Sequence, residues 1–171
     1  GLGDVYKRQI TYDTKTFFNQ SKNKKVTAAE VLTKKKAVCE GYSTLFKALC
    51  DNAEIKCYLI QGYSKGYGFS RRKKFTSTDH TWNSVFINNK WYLIDVTWGS
   101  GYINNKRKFV RKFNNYFFIT NPKTFIYTHL PEDPMWQLLD CPVAINDFRK
   151  DSIFIADKIS KTEFCFNYAD S

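Results

Sequence analysis

Two alternating segments near the middle of the chain constrain the fold most, because together they have the pattern of a β-hairpin. His80–Ile87 (HTWNSVFI) and Trp91–Trp98 (WYLIDVTW) are rich in aromatic and β-branched residues, and only Asn88-Asn89-Lys90 separates them. Short connections of this kind join antiparallel neighbours. We therefore expect an antiparallel sheet in this part of the chain.

The turn also suggests how the two strands pair, although a pairing shifted by one residue would place His80 and Asp95 on opposite faces of the sheet. With Ile87 opposite Lys90, His80 and Asp95 lie on one face of the sheet as diagonal neighbours, with Cα atoms about 7–8 Å apart. An imidazole and a carboxylate at this separation are within hydrogen-bonding reach of each other. The hairpin thus predicts a His–Asp pair.

Two helices are predicted before the hairpin. Thr27-Ala28-Ala29-Glu30 forms a capping box, so a helix should begin at Thr27 and close at Lys34–Lys36. A second helix fits Cys39–Asp51, whose apolar side holds Tyr42, Leu45, Phe46, Leu49 and Cys50. After it, Ile55–Ser64 has the pattern of a further strand. Cys39 therefore lies at the amino end of a helix.

The composition fits one folded domain. The chain has 171 residues, 43% of them hydrophobic and 18% aromatic, which argues against a disordered protein. We expect a non-native or disordered leader over residues 1–9, a domain over 10–148, and a strand-like tail over 149–171 that either finishes this domain or begins a β-rich one. No run of about 18 apolar residues and no secretory leader occurs, so the chain is expected neither to span a membrane nor to be secreted.

The five cysteines do not pair by spacing. Their number is odd and no two of them form a C-x-x-C motif, so neither a disulfide framework nor a zinc site is indicated. A reduced, cytoplasmic setting is the simpler interpretation. Cys50, Cys57, Cys141 and Cys165 are expected to be buried thiols, and Cys39 is considered separately.

The net charge of +11, from 27 Lys and Arg against 16 Asp and Glu, permits nucleic acid, an anionic membrane surface or an acidic protein as partner. The basic clusters lie in different predicted elements, at 22–25, 34–36, 71–74 and 106–112. No RRM, KH or helix-turn-helix signature accompanies them. We therefore expect solvated surfaces and no nucleic-acid binding.

Cys39, His80 and Asp95 are the residue types of a thiol-nucleophile site. The positive end of the helix dipole favours a thiolate at Cys39, and the basic residues 34–36 act in the same direction. His80 would pair with the thiolate and later protonate the leaving amine, while Asp95 would orient its ring. The backbone N–H of Cys39 is the natural first oxyanion donor, and the sequence identifies no second one. Taken alone, each of these residues would more simply be interpreted as structural. The occurrence of all three in this order favours a catalytic site.

Three sequence blocks carry a family resemblance. Ala37–Ser43 (AVCEGYS), Asp79–Asn83 (DHTWN) and Trp91–Gly99 (WYLIDVTWG) resemble the Cys, His and Asp blocks of the transglutaminase-like superfamily. A further set of segments is similar to the branch of that superfamily that contains the kyphoscoliosis peptidase and hillarin: Gly62–Gly66, Tyr116–Pro122, His129–Asp133 and Trp136–Leu139.

The resemblance implies an α+β, papain-like core in which the Cys39 helix packs on an antiparallel sheet. It implies acyl transfer on protein amides through a Cys39 thioester, with His80 as base and acid and Asp95 as orienting carboxylate. Water as acceptor gives peptidase or deamidase activity, and an amine gives cross-linking. The alternative is a catalytically silent scaffold for cytoskeletal or other acidic partners. The branch also implies a cytoplasmic, cytoskeletal setting.

The remaining expectations concern the surroundings of the site. Trp82 and Trp98 are primarily core candidates, and they are also the candidate substrate-binding walls of the cleft. His129, next to Leu130 and Pro131, is expected to be structural rather than a second base. No cofactor is implied, and no EF-hand spacing is present, so no metal site is expected.

Overall fold

The structure, a computed structural model, describes residues 10–19, 25–72 and 74–150. Its helices are α1 Thr14–Asn19, α2 Ala28–Lys34, α3 Cys39–Asn52, α4 Val96–Ser100, α5 Pro122–Phe125 and α6 Ile145–Lys150, with short 3-10 helices at Asn115–Phe117 and Pro134–Gln137. Its strands are β1 Thr11–Tyr12, β2 Lys36–Ala37, β3 Cys57–Ser64, β4 His80–Ile87, β5 Lys90–Ile94, β6 Gly101–Ile103, β7 Phe109–Arg111, β8 Phe118–Thr120 and β9 His129–Pro131. The predicted leader at 1–9 and the predicted tail strands at 152–156 and 162–168 lie outside the described residues.

A five-stranded antiparallel sheet organises the domain in the strand order β8-β5-β4-β3-β9. The hairpin pairs as its turn predicts, with Ile87 opposite Lys90. Helix α3 packs on β3 and β4 near the middle of the sheet. The expected fold class, α+β with the Cys39 helix on an antiparallel sheet, is confirmed.

Both faces of the sheet are covered, which explains why β4 is buried along most of its length. The face under α3 forms a core whose fully buried members include Val31, Tyr42, Leu45, Val85 and Val96. The opposite face packs Ile60, Trp82 and Leu93 against Phe125. Because side chains alternate along a strand, one strand supplies both cores.

The helices before the sheet begin where their capping signals indicate. Thr27 caps α2 through a capping box with Glu30, and Lys35 ends that helix in the left-handed conformation. Helix α3 begins at Cys39, as predicted, with Val38 as its extended N-cap residue.

The second strand of the hairpin is shorter than the sequence predicts. We expected a strand over Trp91–Trp98, but β5 ends at Ile94 and helix α4 begins at Val96. The change of structure occurs at Asp95, whose side chain accepts hydrogen bonds from two backbone amides of α4. An aspartate in this position satisfies the free amides at the helix start, which the alternating pattern does not reveal.

The structure differs from the expectations at Cys141 and at residues 149–150. Cys50 and Cys57 are buried free thiols as expected, but Cys141 is exposed and disulfide-bonded, so its prediction as a buried thiol is wrong. Arg149 and Lys150, assigned to a strand-like tail, end helix α6. Among the described residues, no helix has the length and apolar character needed to span a bilayer.

Two small pairs of strands border the amino end of α3. The parallel pair β1–β2 places Tyr12 beside Ala37, two positions before Cys39. The β6–β7 hairpin follows α4 and packs near β1, where the rings of Phe109 and Tyr12 lie 5.9 Å apart. These short elements therefore add walls around the start of the Cys39 helix.

Gly62 provides a stability test of the packing between β4 and β9. A Cβ there would lie 2.3 Å from the Leu130 carbonyl oxygen and 2.5 Å from the Trp82 ring. We expect Gly62→Ala to lower the free energy of unfolding by about 1–3 kcal/mol in urea titrations, the usual range for overpacking. The control is Gly99→Ala, whose Cβ would meet its neighbours at an ordinary 3.6 Å. Equal losses in the two variants would contradict this packing.

Candidate active site

Asp95 is the centre of the site. It is 1% exposed and lies between β5 and α4. Its Oδ1 accepts the backbone N–H groups of Thr97 and Trp98 at 2.8 and 3.0 Å. This cap fixes the plane of the carboxylate and points the other oxygen toward the start of β4.

The second oxygen of Asp95 accepts hydrogen bonds from two imidazoles. His80 Nε2 lies 2.7 Å and His129 Nε2 lies 3.0 Å from Oδ2. Because an ionised carboxylate only accepts, each ring donates its Nε2–H. Hydrogen bonds to both rings and the charge of His80 outweigh the cost of burial, and they hold the pKa of Asp95 below its usual range.

Cys39 completes the set from helix α3. With its Nε2 committed to Asp95, His80 keeps Nδ1 for other partners, and the Cys39 side chain lies near enough to influence the pKa of the imidazole. Burial alone would lower the pKa of His80, but Asp95 and Cys39 together raise it to about 10. The imidazole is therefore held as a cation between a carboxylate and a thiol.

The helix start adds polar stabilisation at Cys39. The backbone amides of the first turn of α3 have no partner within the helix, since its ladder begins with the bond from the Tyr42 amide to the Val38 carbonyl. Backbone amides of this kind carry the positive end of the helix dipole. The nearby lysines contribute less than expected, because Lys36 and Lys34 pair with Asp13 and Glu30 at 3.3 and 3.8 Å.

His129, which the sequence predicts to be structural rather than a second base, lies in the site and contacts Asp95. Strand β9 pairs with β3, so that His129 lies opposite Ser64 and close to the start of β4. The ring is fully buried, and it stacks on Phe125 with centroids 4.0 Å apart. Burial and the nearby charge of His80 lower its pKa to about 4, so it is neutral and donates to Asp95 while Nδ1 accepts from the Thr128 hydroxyl.

The two candidate substrate-binding tryptophans have different environments. Trp82 is fully buried in the core and packs against Phe125 and His129, which is the position of a structural residue. Trp98 lies over His80, with ring centroids 5.4 Å apart, and lines a cavity of about 660 Å³. The structure thus brings Trp98, but not Trp82, to the open side of the site.

The residue types of this cluster would also suit a metal ion. One nitrogen each from His80 and His129 and one oxygen from Asp95 lie within 4.8 Å of one another. All three atoms, however, already take part in the two hydrogen bonds to Oδ2. The arrangement as it stands is a buried carboxylate that holds two imidazoles through hydrogen bonds.

His129 predicts a loss of stability on the acid side. Its pKa is about 4 in the folded protein against 6.5 for an ordinary histidine, so between these values the unfolded chain binds a proton that the folded chain does not. The unfolding free energy should fall as pH falls from 6.5 toward 4, by at most about 1.4 kcal/mol per pH unit. His80 has a raised pKa, so the stability that it contributes is fully present below pH 6.5 and does not change over this range.

Urea unfolding at a series of pH values measures this slope. The comparison is His129→Gln, which keeps an N–H donor but does not titrate, and which should flatten the curve between pH 6.5 and 5. An unchanged slope, or an NMR titration of His129 near 6.5, would contradict the assignment.

Comparison with known proteins shows the family to which the chain is similar. A family model described as the transglutaminase-like superfamily matches residues 2–96, a region that contains Cys39, His80 and Asp95. A solved structure described as a putative cysteine protease from Cytophaga hutchinsonii is 21% identical, with a TM-score of 0.42, and the match covers 64% of this chain and 32% of that chain.

Two similar relatives belong to the expected branch. Human kyphoscoliosis peptidase is 37% identical over 121 residues, which cover 70% of this chain and 18% of that protein. Hillarin of Drosophila melanogaster is 30% identical over 122 residues, which cover 64% of this chain and 15% of hillarin. The chain thus spans less than a fifth of the length of either relative. The resemblance predicted from the three blocks is confirmed, and the chain belongs to the transglutaminase-like superfamily.

Proposed function

We propose that this domain is a cysteine acyl-transfer enzyme that acts on protein amides through a thioester at Cys39. The observation that carries the proposal is the 2.7 Å hydrogen bond from His80 to Asp95, in an imidazole whose pKa is raised by Asp95 and by the nearby Cys39 side chain. A cysteine that only fills the core has no need of a cationic imidazole beside it, whereas a nucleophilic cysteine is activated by such a neighbour. Membership of the transglutaminase-like superfamily supports the same chemistry.

The first half-reaction forms the thioester. The Cys39 thiolate attacks the amide carbon, a C–S bond forms, and the carbonyl oxygen becomes an oxyanion beside the backbone amides that start α3. The C–N bond then breaks, and the His80 imidazolium gives its Nδ1 proton to the leaving nitrogen. Asp95 holds the ring in place through Nε2 throughout.

The second half-reaction returns the thiolate. A water molecule or a primary amine attacks the thioester carbon, His80 takes the proton from it, and the C–S bond breaks. Water gives hydrolysis of a peptide or a glutamine amide, and a lysine amine gives a cross-link. We propose a protein as substrate and leave these acceptors as alternatives.

The rival proposal is a catalytically silent scaffold that binds cytoskeletal or other acidic proteins. The net charge of +11 favours acidic partners in either case. Resemblance to the kyphoscoliosis peptidase and hillarin branch supports a cytoplasmic, cytoskeletal setting, which we also propose. The two functions differ in what Cys39 must do, so its reactivity separates them.

Alkylation by iodoacetamide tests the nucleophile. We expect Cys39 to label at least about tenfold faster than free cysteine at pH 6–7, because it pairs with a cationic imidazole. His80→Ala should remove most of this advantage, and Cys39→Ser should remove the labelled site. Cys50→Ala, which removes a buried thiol, should leave the rate unchanged. Labelling of Cys39 no faster than free cysteine, with no effect of His80→Ala, would favour the scaffold.

Turnover tests the complete cycle. Glutamine-containing peptides and a fluorescent primary amine allow ammonia release, amine incorporation and peptide cleavage to be followed in one assay. We expect Cys39→Ser and His80→Ala to lose activity by roughly a thousandfold or more, and Asp95→Asn to lose a large part of it. The rate should fall as pH rises through about 10, where His80 loses the proton it must donate. Activity retained in Cys39→Ser would contradict the mechanism.

A further inference from the structure

The cavity beside the site is continuous with the catalytic centre. Its volume is about 660 Å³, and His80, Thr97 and Trp98 form part of its wall. Tyr12 lines it as well, and the pKa of its phenol is raised by burial and by the nearby Cys39 and Asp95. A group bound in this cavity would therefore lie beside His80, although Cys39 is not itself one of the lining residues.

The lining is unusually rich in aromatic rings. Besides Tyr12 and Trp98, these are Phe17, Tyr67, Tyr102, Phe109, Phe113 and Phe117. The inner rings are packed against one another, with Tyr12 5.7 Å from Phe17 and 5.9 Å from Phe109. A wall of this kind binds a large apolar side chain by removing its surface from water.

The rings at the mouth remain open to solvent. Tyr102 is 52% exposed, Phe113 is 56% exposed and Tyr67 is 45% exposed. Exposed apolar side chains that form a contiguous patch at the mouth of a cavity mark a binding site more often than apolar side chains scattered singly over a surface. Because His80 lines the same cavity as these rings, a ligand bound at the mouth could continue toward the reacting amide.

The charge at the cavity favours an acidic ligand. Lys65 and Lys112 both line it, against the single carboxylate of Asp79. One oxygen of Asp79 already accepts the backbone N–H of Ser64 at 2.8 Å. A negative residue near the bound apolar side chain would thus meet opposite charge.

We propose that this cavity is the substrate subsite that sets specificity, and that it takes an aromatic side chain of a protein segment whose neighbouring residues are acidic. The proposal rests on the acyl-transfer function proposed above. It names the substrate class of that same site: amides in acidic segments that carry an aromatic residue close to the reacting bond.

Binding of capped hexapeptides to the full chain tests the subsite. One peptide carries a central phenylalanine among glutamates, and two others replace that phenylalanine with alanine or lysine. Calorimetry gives their dissociation constants, and slowed alkylation of Cys39 by iodoacetamide shows that they bind beside the nucleophile. We expect the phenylalanine peptide to bind at least about tenfold more tightly than the alanine peptide, since a buried phenyl ring contributes this much.

Two pairs of variants locate the binding. Tyr102→Ala combined with Phe113→Ala should reduce the preference for phenylalanine to about twofold. Tyr127→Ala changes a side chain that is also exposed, at 45%, but does not line the cavity, so it should keep the preference. Lys112→Glu should weaken binding of the glutamate peptides several-fold at low salt, whereas Lys90→Glu, in the turn at the far end of β4, should not. The exposed positions of Tyr102 and Phe113 leave the core intact.

The outcomes separate this proposal from the catalytic one. Equal binding of the phenylalanine and alanine peptides, a preference that survives the double variant, or binding that leaves Cys39 unprotected would each overturn the subsite. Slow alkylation of Cys39 in the free protein, together with the expected peptide preferences, would overturn the acyl-transfer function and leave the subsite standing.

Discussion

The buried carboxylate of Asp95 is the group on which the site depends. One oxygen caps helix α4 through the amides of Thr97 and Trp98, and the other accepts from His80 and His129. A carboxylate as deeply buried as this one is stable only when its charge is compensated by such partners. The same four hydrogen bonds end a strand, start a helix and fix the two imidazoles.

This carboxylate also joins parts of the chain that are distant in sequence. His80 begins β4, Asp95 follows β5, and His129 begins β9 on the other side of β3. Helix α3 then brings Cys39 to the exposed side of His80 through its packing on β3 and β4. The two rings share one acceptor but differ in charge: burial and the cation on His80 keep His129 neutral. Because His129 is neutral, it can donate a hydrogen bond to the Asp95 carboxylate without taking the additional proton that His80 carries.

Local signals in the sequence were sufficient for the elements that hold Cys39 and His80. The capping box at Thr27, the apolar side of α3 and the hairpin turn all act over a few residues, and the structure has them where expected. The end of β5 was misassigned because alternation continues through Val96 and Trp98, although Asp95 is a favoured helix N-cap. The site of His129 depends on pairing between β3 and β9, more than sixty residues apart, for which no local pattern exists. A buried histidine between apolar residues was its only signal.

The central claim is that Asp95 and Cys39 hold His80 as a cation beside the nucleophile at neutral pH. Nitrogen-15 NMR of the ring nitrogens measures this directly, and only two histidines contribute, so His129→Gln assigns the signals. At pH 8 we predict one ring with protons on both nitrogens, His80, and one neutral ring with its proton on Nε2, His129. Two neutral rings at pH 8 would contradict the cationic state of His80 and the role given to Asp95.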